Sequence, residues 1–314
     1  MKRVLVTGAT GFSGKYLCRS LASKGYRVAG TFVKRPKQVP QNYSLIELNL
    51  KSRKDAILVI RDFRPHYLVH LAAQSNSRQS WDLQDETFSV NVGGTLNLLN
   101  AVRQTGCQTR FLLASSVQVY GKIFHQAGAA AEEGPVAPEN PYASSKRVAE
   151  LACLDFFTRF GLDIVIARMA NHTGPGQEAS YVFSDWSRQI ALAEKSGRAA
   201  SLQVGNLNLK RDFLHVEDAI SAYITLLAKG KTGEIYNVAS AKPEKLKRYA
   251  DFLTRKAKVP LRVLSAKNRI RASEPKKTWI KTSKIRALGW KPRKTAVQAL
   301  AELLEDWRRR VEYE

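Results

Sequence analysis

The chain has 314 residues, 44% of them hydrophobic, with 51 Lys/Arg against 27 Asp/Glu for a formal net charge of +24. That suffices for one large domain or two closely packed ones, and no apolar run approaches the roughly 20 residues of a membrane span. The charge is concentrated late, with 22 Lys/Arg and 8 Asp/Glu between Lys242 and Glu314; such a field concentrates anionic ligands, binds nucleic acid non-specifically, or is a solvated basic surface.

Met1-Lys2-Arg3 has the charge of a leader peptide, but Gly8 cuts the following apolar run short, so no secretory segment is expected. Val4-Leu5-Val6 reads as a buried parallel strand. Gly8, Gly11 and Gly14 follow at a spacing of three, and Tyr16, Leu17 and Leu21 then take up helical periodicity to about residue 24. A glycine turn between a buried strand and a helix is a phosphate cradle: the turn is tight, the backbone is bare, and the helix N-terminus favours an anion.

Further strands are expected at 26–33, 45–48, 67–71, 111–114 and 163–167, alternating with helices at 55–63, 88–102 and 141–160. This alternation implies a doubly wound parallel sheet of the Rossmann type, covered on both faces. Residues 122–140 read as a long loop, and Pro141 opens a helix at the position where its missing donor costs little. Beyond Arg168 a Gly/Pro loop is expected at 171–180, with helices at 182–194, 219–229, 248–257 and 296–310 and strands at 202–204 and 234–238. The expected layout is a cofactor domain of 1–168 with about 215–238, and a smaller, largely C-terminal substrate domain of about 169–214 and 239–314. Ligands of such sheets bind at the carboxyl ends of the strands.

Tyr142 and Lys146 stand four apart on one helix, hence on one face. A nearby ammonium stabilises phenolate, so the tyrosine pKa is expected to fall toward neutrality and fit it for proton exchange with a carbonyl or hydroxyl oxygen. Ser115 and Ser116 end the fifth strand, and Ser115 reads as a strand-end cap. Cys18, Cys107 and Cys153 lack metal-ligand spacing and read as buried thiols of a cytoplasmic protein, with no metal expected.

Together, the glycine turn, Ser116 four residues before Tyr120, and Tyr142-x-x-x-Lys146 resemble the extended short-chain dehydrogenase/reductase family. Asn91-Val92-Gly93-Gly94-Thr95, Arg211-Asp212-Phe213-Leu214-His215-Val216-Glu217-Asp218, Tyr236-Asn237-Val238 and Leu288-Gly289-Trp290-Lys291-Pro292 extend the resemblance over nearly the whole chain. Asn171-His172-Thr173-Gly174-Pro175-Gly176-Gln177 and Arg271-Ala272-Ser273-Glu274-Pro275 are most similar to the GDP-4-keto-6-deoxy-mannose reductases within it.

The resemblance implies that Ser116 polarises a substrate carbonyl, Tyr142 is the general acid/base and Lys146 holds the nicotinamide ribose. Cofactor contacts are implied for Gly8, Thr10, Gly11, Phe12 and Gly14, for Asn49 and Leu50, for Leu71, Ala72 and Ala73, and for Asn91. Asn49 stands where relatives carry an aspartate against the adenine, and its amide oxygen can accept in the same way. Asn171, Arg211, Arg271 and Glu274 fall to the substrate, with the two arginines suited to a GDP pyrophosphate. Thr31-Phe32-Val33-Lys34-Arg35 has no acid for a ribose hydroxyl and two cations for a 2′-phosphate, which favours NADP(H) over NAD(H).

The expected activity is NADPH-dependent reduction of GDP-4-keto-6-deoxy-D-mannose to GDP-D-rhamnose by a homodimer. Val117 and Gln118 occupy the places of the acid pair that related dehydratases carry, and neither side chain exchanges protons near neutral pH. A 4-epimerase or 4,6-dehydratase is the enzymatic alternative. A non-catalytic nucleotide- or nucleic-acid-binding protein is the other, since a basic field retains polyanions without reading their sequence.

Overall fold

The computed structural model describes residues 1–36, 38–126, 128–270 and 274–312. Its centre is a seven-stranded parallel sheet made of β1 (Arg3–Thr7), β2 (Arg27–Phe32), β3 (Ser44–Glu47), β4 (Tyr67–His70), β5 (Arg110–Ser116), β6 (Ile164–Met169) and β11 (Ile235–Val238). Their spatial order is β3-β2-β1-β4-β5-β6-β11. The chain therefore builds outward from β1 to β3, then crosses back to lay β4 on the other side of β1. That reversal opens a crevice at the carboxyl ends of β1 and β4.

Strand residues alternate between the two faces. Val4, Val6, Leu112, Val165 and Ala167 join α1 (Phe12–Ser23) and α7 (Val216–Lys229) in one apolar cluster. Leu5, Phe111, Leu113, Ile164 and Ile166 join α2 (Arg53–Phe63), α4 (Gly94–Thr105) and α5 (Pro141–Phe160) in the other. Because both faces are buried, the inner strands β1, β5 and β6 read as nearly continuous apolar runs, whereas the edge strand β3 (Ser44–Glu47) stays partly open.

The expected helix at 88–102 is two helices joined by a wider turn. Short α3 (Gln84–Phe88) passes through one π-turn at Ser89–Gly93 into α4. The Gly/Pro loop at 171–180 begins with β7 (Asn171–Thr173), which pairs in parallel with β10 (Phe213–His215). Likewise β8 (Ala200–Val204) pairs with β13 (Leu261–Ser265), and β9 (Lys210–Arg211) with β12 (Glu244–Lys245). The expected strand at 202–204 is thus β8, whereas β7, β9, β10, β12 and β13 were not expected, each being short and far in sequence from its partner.

A third apolar cluster gathers α6 (Val182–Ser196), α8 (Leu246–Lys256) and α10 (Ala296–Glu312) around Phe183, Trp186, Tyr249 and Trp307. The buried Trp307 indole donates to Ser184 Oγ at 2.7 Å. Among the remaining elements, α9 (Ser283–Ala287) sits against β11.

Two glycines of the first turn have steric reasons. Gly8 holds φ +70°, and a Cβ on Gly14 would stand 2.1 Å from the Gly8 carbonyl oxygen. Backbone cannot move aside there as a flexible side chain could. Gly14→Ala is expected to lower folding stability by about 1–3 kcal/mol, read as a reduced urea midpoint at unchanged m-value.

Candidate active site

A cleft of about 1920 Å³ follows the carboxyl ends of the central strands. Gly8, Thr10, Gly11, Phe12 and Gly14 line it at one end, with Asn49 and Leu50 after β3 and Leu71, Ala72 and Ala73 after β4. Ser116, Tyr142 and Lys146 line its middle, and Asn171, Arg211 and Glu274 line the far side.

The glycine end suits an anion. Gly11 precedes helix α1 and offers no side-chain cap, so the first amides of the helix are offered to the cleft. The turn is braced from the substrate side: Ser13 Oγ and His172 Nε2 are 2.6 Å apart, and the Phe12 and His172 rings stack at 5.9 Å. The Tyr16 hydroxyl donates to the Pro175 carbonyl at 2.9 Å. Burial holds His172 below the ordinary imidazole pKa, so the brace is a neutral one.

Helix α5 supplies the middle of the cleft. Asn140 caps it by accepting from the Ala143 amide at 2.9 Å, with Pro141 in the first turn. Lys146 Nζ donates to the Ala114 carbonyl at 2.8 Å, and the Ser116 hydroxyl is close enough to the Tyr142 phenol to act on its pKa. Burial brings the Lys146 ammonium down to about 8. The expected lowering of the tyrosine pKa does not hold: burial pushes the Tyr142 phenol up to about 12, against the effect of the Ser116 hydroxyl. The lysine is turned to a backbone carbonyl, and desolvation of the phenolate outweighs whatever it contributes. Tyr142 is thus a protonated phenol at neutral pH.

Other residues behave differently from their sequence reading. Ser115 is no strand-end cap; its hydroxyl donates to Glu150 Oε1 at 2.6 Å. Ser116 itself does the capping, accepting from the Gln118 amide at 3.2 Å. Asn91 is buried below the cleft wall, where it accepts from the Gln74 amide at 2.8 Å and donates to Ser145 Oγ at 2.9 Å. Asn49 turns its amide oxygen to the Lys51 amide at 3.1 Å. Lys34 and Arg35 are exposed beyond Val33, the last residue of that segment on the cleft wall.

Arg211 and Glu274 are brought together, 3.7 Å between Nη2 and Oε1, and Arg211 also donates to the Pro275 carbonyl at 2.8 Å. Arg271 lies outside the described residues. Val117 and Gln118 line the cleft, whereas Glu132 is turned to the Asn237 amide at 2.8 Å and Glu133 reaches Lys284.

Some lining residues were not anticipated. Glu47 faces the end of β2 because β3 pairs Glu47 with Phe32, a register invisible in the sequence of β2 alone. Glu139 also lines the cleft and lies 3.3 Å from His125 Nε2. Trp81, Tyr181 and Arg269 complete the rim. Their loops carry no pattern that marks them as lining.

The family described as GDP-mannose 4,6 dehydratase matches residues 5–303. The chain belongs to this family. It is an extended short-chain dehydrogenase/reductase. A GDP-6-deoxy-D-mannose reductase of Pseudomonas aeruginosa is 35% identical over 314 residues, covering 100% of this chain and 99% of the relative. The human GDP-mannose 4,6 dehydratase is 30% identical over 258 residues, 74% of this chain and 68% of that protein. The solved structure of RMD from Pseudomonas aeruginosa complexed with NADPH superposes with a TM-score of 0.83 at 32% identity, covering 99% of this chain and 100% of that one. No helix among the described residues is long and apolar enough to cross a membrane.

In this family member the buried Lys146 leaves a signature in stability. Its proton is lost near pH 8 in the folded chain and near 10.5 in the unfolded one. Folding therefore disfavours the charged form: the cost is whole below pH 8, shrinks as pH rises and is gone above 10.5. Lys146→Met is expected to be more stable than wild type by on the order of 3 kcal/mol at pH 7. The gap should narrow by pH 10, measured by urea unfolding of both proteins at each pH.

Proposed function

We propose that the protein reduces the C4 keto group of a nucleotide-bound 4-keto-6-deoxy sugar with NADPH, converting GDP-4-keto-6-deoxy-D-mannose to GDP-D-rhamnose. One observation carries the reading. Ser116, a protonated Tyr142 and Lys146 converge in the cleft of a chain that is 35% identical, end to end, to a GDP-6-deoxy-D-mannose reductase.

The residues present fit a dinucleotide. The uncapped N-terminus of α1 and the bare glycine turn suit its pyrophosphate, and Asn49 and Leu50 its adenine. Lys34 and Arg35 suit a 2′-phosphate, and Lys146 the nicotinamide ribose. Bound there, the nicotinamide supplies a hydride. Ser116 Oγ donates a hydrogen bond to the keto oxygen and holds it as negative charge develops. Tyr142 gives its phenolic proton to the same oxygen as it becomes an alcohol, and a phenol that stays protonated at neutral pH is in the right state for that step. Arg211, oriented by Glu274, would take the nucleotide diphosphate, and Asn171 the sugar.

The chain divides into a cofactor unit of 1–168 with about 215–238 and a substrate unit from the remainder. A homodimer through α4 and α5 is supported by Val148, Leu151 and Phe160, which are exposed on α5.

A second reading, the 4,6-dehydratase, is favoured by the family match and by Glu139 in the cleft. Elimination of water needs a base and an acid near the sugar, and Val117 and Gln118 supply neither.

Incubation with the keto sugar should consume one NADPH per sugar reduced, followed at the nicotinamide absorbance band. Formation of a 4-keto sugar from GDP-mannose without net loss of NADPH would reverse the assignment in favour of the dehydratase. Tyr142→Phe is expected to lower kcat by roughly 10²–10⁴ with NADPH binding intact by fluorescence titration. Arg35→Ala should weaken NADPH binding more than NADH binding, since only NADPH carries the 2′-phosphate; equal losses would remove Arg35 from that role.

A further inference from the structure

Behind the cleft lies an ion pair that the proposed chemistry does not use. Glu150 is fully buried and Arg168 is 1% exposed. The carboxylate is saturated. Its Oε1 accepts from Ser115 Oγ at 2.6 Å and Arg168 Nε at 2.9 Å, and its Oε2 from Arg168 Nη2 at 2.9 Å and Arg147 Nη1 at 3.1 Å. Arg168 Nη1 donates to the Tyr120 hydroxyl at 3.0 Å, and that hydroxyl donates to Asn237 Oδ1 at 2.8 Å. The guanidinium also lies 4.9 Å from the centre of the Tyr120 ring.

Both tethers end next to Ser116. Ser115 precedes it, and Tyr120 closes the 3₁₀ turn Val117–Tyr120 that Ser116 caps. A single buried pair thus grips the chain on both sides of one hydroxyl. Stability alone does not account for such a pair, because apolar side chains of similar volume often stabilise as well or better. What apolar side chains cannot supply is direction: a hydroxyl on a short turn can rotate or shift unless its neighbours are held at fixed points.

We propose that Glu150 and Arg168 are positioning residues that fix Ser116 opposite Tyr142 through the tethers Ser115 and Tyr120. The inference rests on the reading of Ser116 as the group that holds the keto oxygen.

The test severs the tethers and leaves the ion pair whole, so that no charge is orphaned in the core. The double variant Ser115→Ala with Tyr120→Phe is expected to lose about 10²-fold in kcat, the scale on which a misplacement of about 1 Å acts. Its NADPH dissociation constant and its inhibition by free GDP should match wild type, its unfolding midpoint should fall only by the buried hydrogen bonds removed, and Ser115→Thr, which keeps the hydroxyl, should keep kcat. An unchanged kcat in the double variant would overturn the inference. So would a loss of kcat accompanied by equal losses of cofactor binding and midpoint, which marks a merely structural role. If the double variant does not fold, Ser115→Ala alone decides, with about a tenfold loss of kcat expected at unchanged NADPH binding. Tyr142→Phe serves as the control: wild-type turnover in that variant would overturn the reading of the site itself and the inference with it. Loss there beside full activity in the tether variants would overturn the positioning role alone.

Discussion

A helix presents every fourth residue on one face, and in α5 that face meets the end of β5 residue for residue. Tyr142 meets Ser116, Lys146 meets the carbonyl of Ala114, and Glu150 meets Ser115. The register of this one contact sets the middle of the cleft. A slip of one helical residue would turn all three side chains off the strand by about 100°. The cap at Asn140 and the ion pair to Arg168 pin the two ends of that register, so the contact is held where it matters for the hydroxyl pair.

The cleft manages its charge by burial. Lys146 and Tyr142 are both pushed toward their neutral forms, yet by amounts that leave the lysine mostly charged and the tyrosine fully protonated near pH 7. His70, close enough to feel Lys146, is held neutral at about 3 between Thr7 and Thr95. The net charge of +24 is therefore a property of the chain's outside, and the reacting groups are tuned by desolvation rather than by that field.

How much of this was legible in the sequence depended on whether the cause was local. The start of α5 was readable because Pro141 acts within a single turn; the Asn140 cap before it and the left-handed Gly161 after it are equally local. The glycine turn was readable for the same reason. The pairing of β7 with β10, and of β8 with β13, was not, since each strand finds its partner only after the chain has folded back on itself. Glu47 entered the cleft through sheet register, which no single strand carries. The tyrosine pKa failed for a related reason: a spacing of four gives proximity, but the balance between an ammonium and a desolvated phenolate depends on everything packed around them. Ser115 misled because a serine at a strand end has a cheap local use, and its actual partner lies 35 residues away on α5.

The order in which the sheet is completed has a consequence for synthesis. The part of one sheet face that α1 leaves open is covered by α7, and the edge beside β6 is closed by β11, both of which come after residue 215. A chain emerging from the ribosome has made six of its seven parallel strands by Met169, while Leu112, Val165 and Ala167 wait for α7 and the β6 edge has no neighbour. Such an unfinished sheet offers bare apolar surface and an unpaired backbone. Vectorial synthesis of this protein therefore completes the sheet only when α7 and β11, at the start of its last third, have emerged.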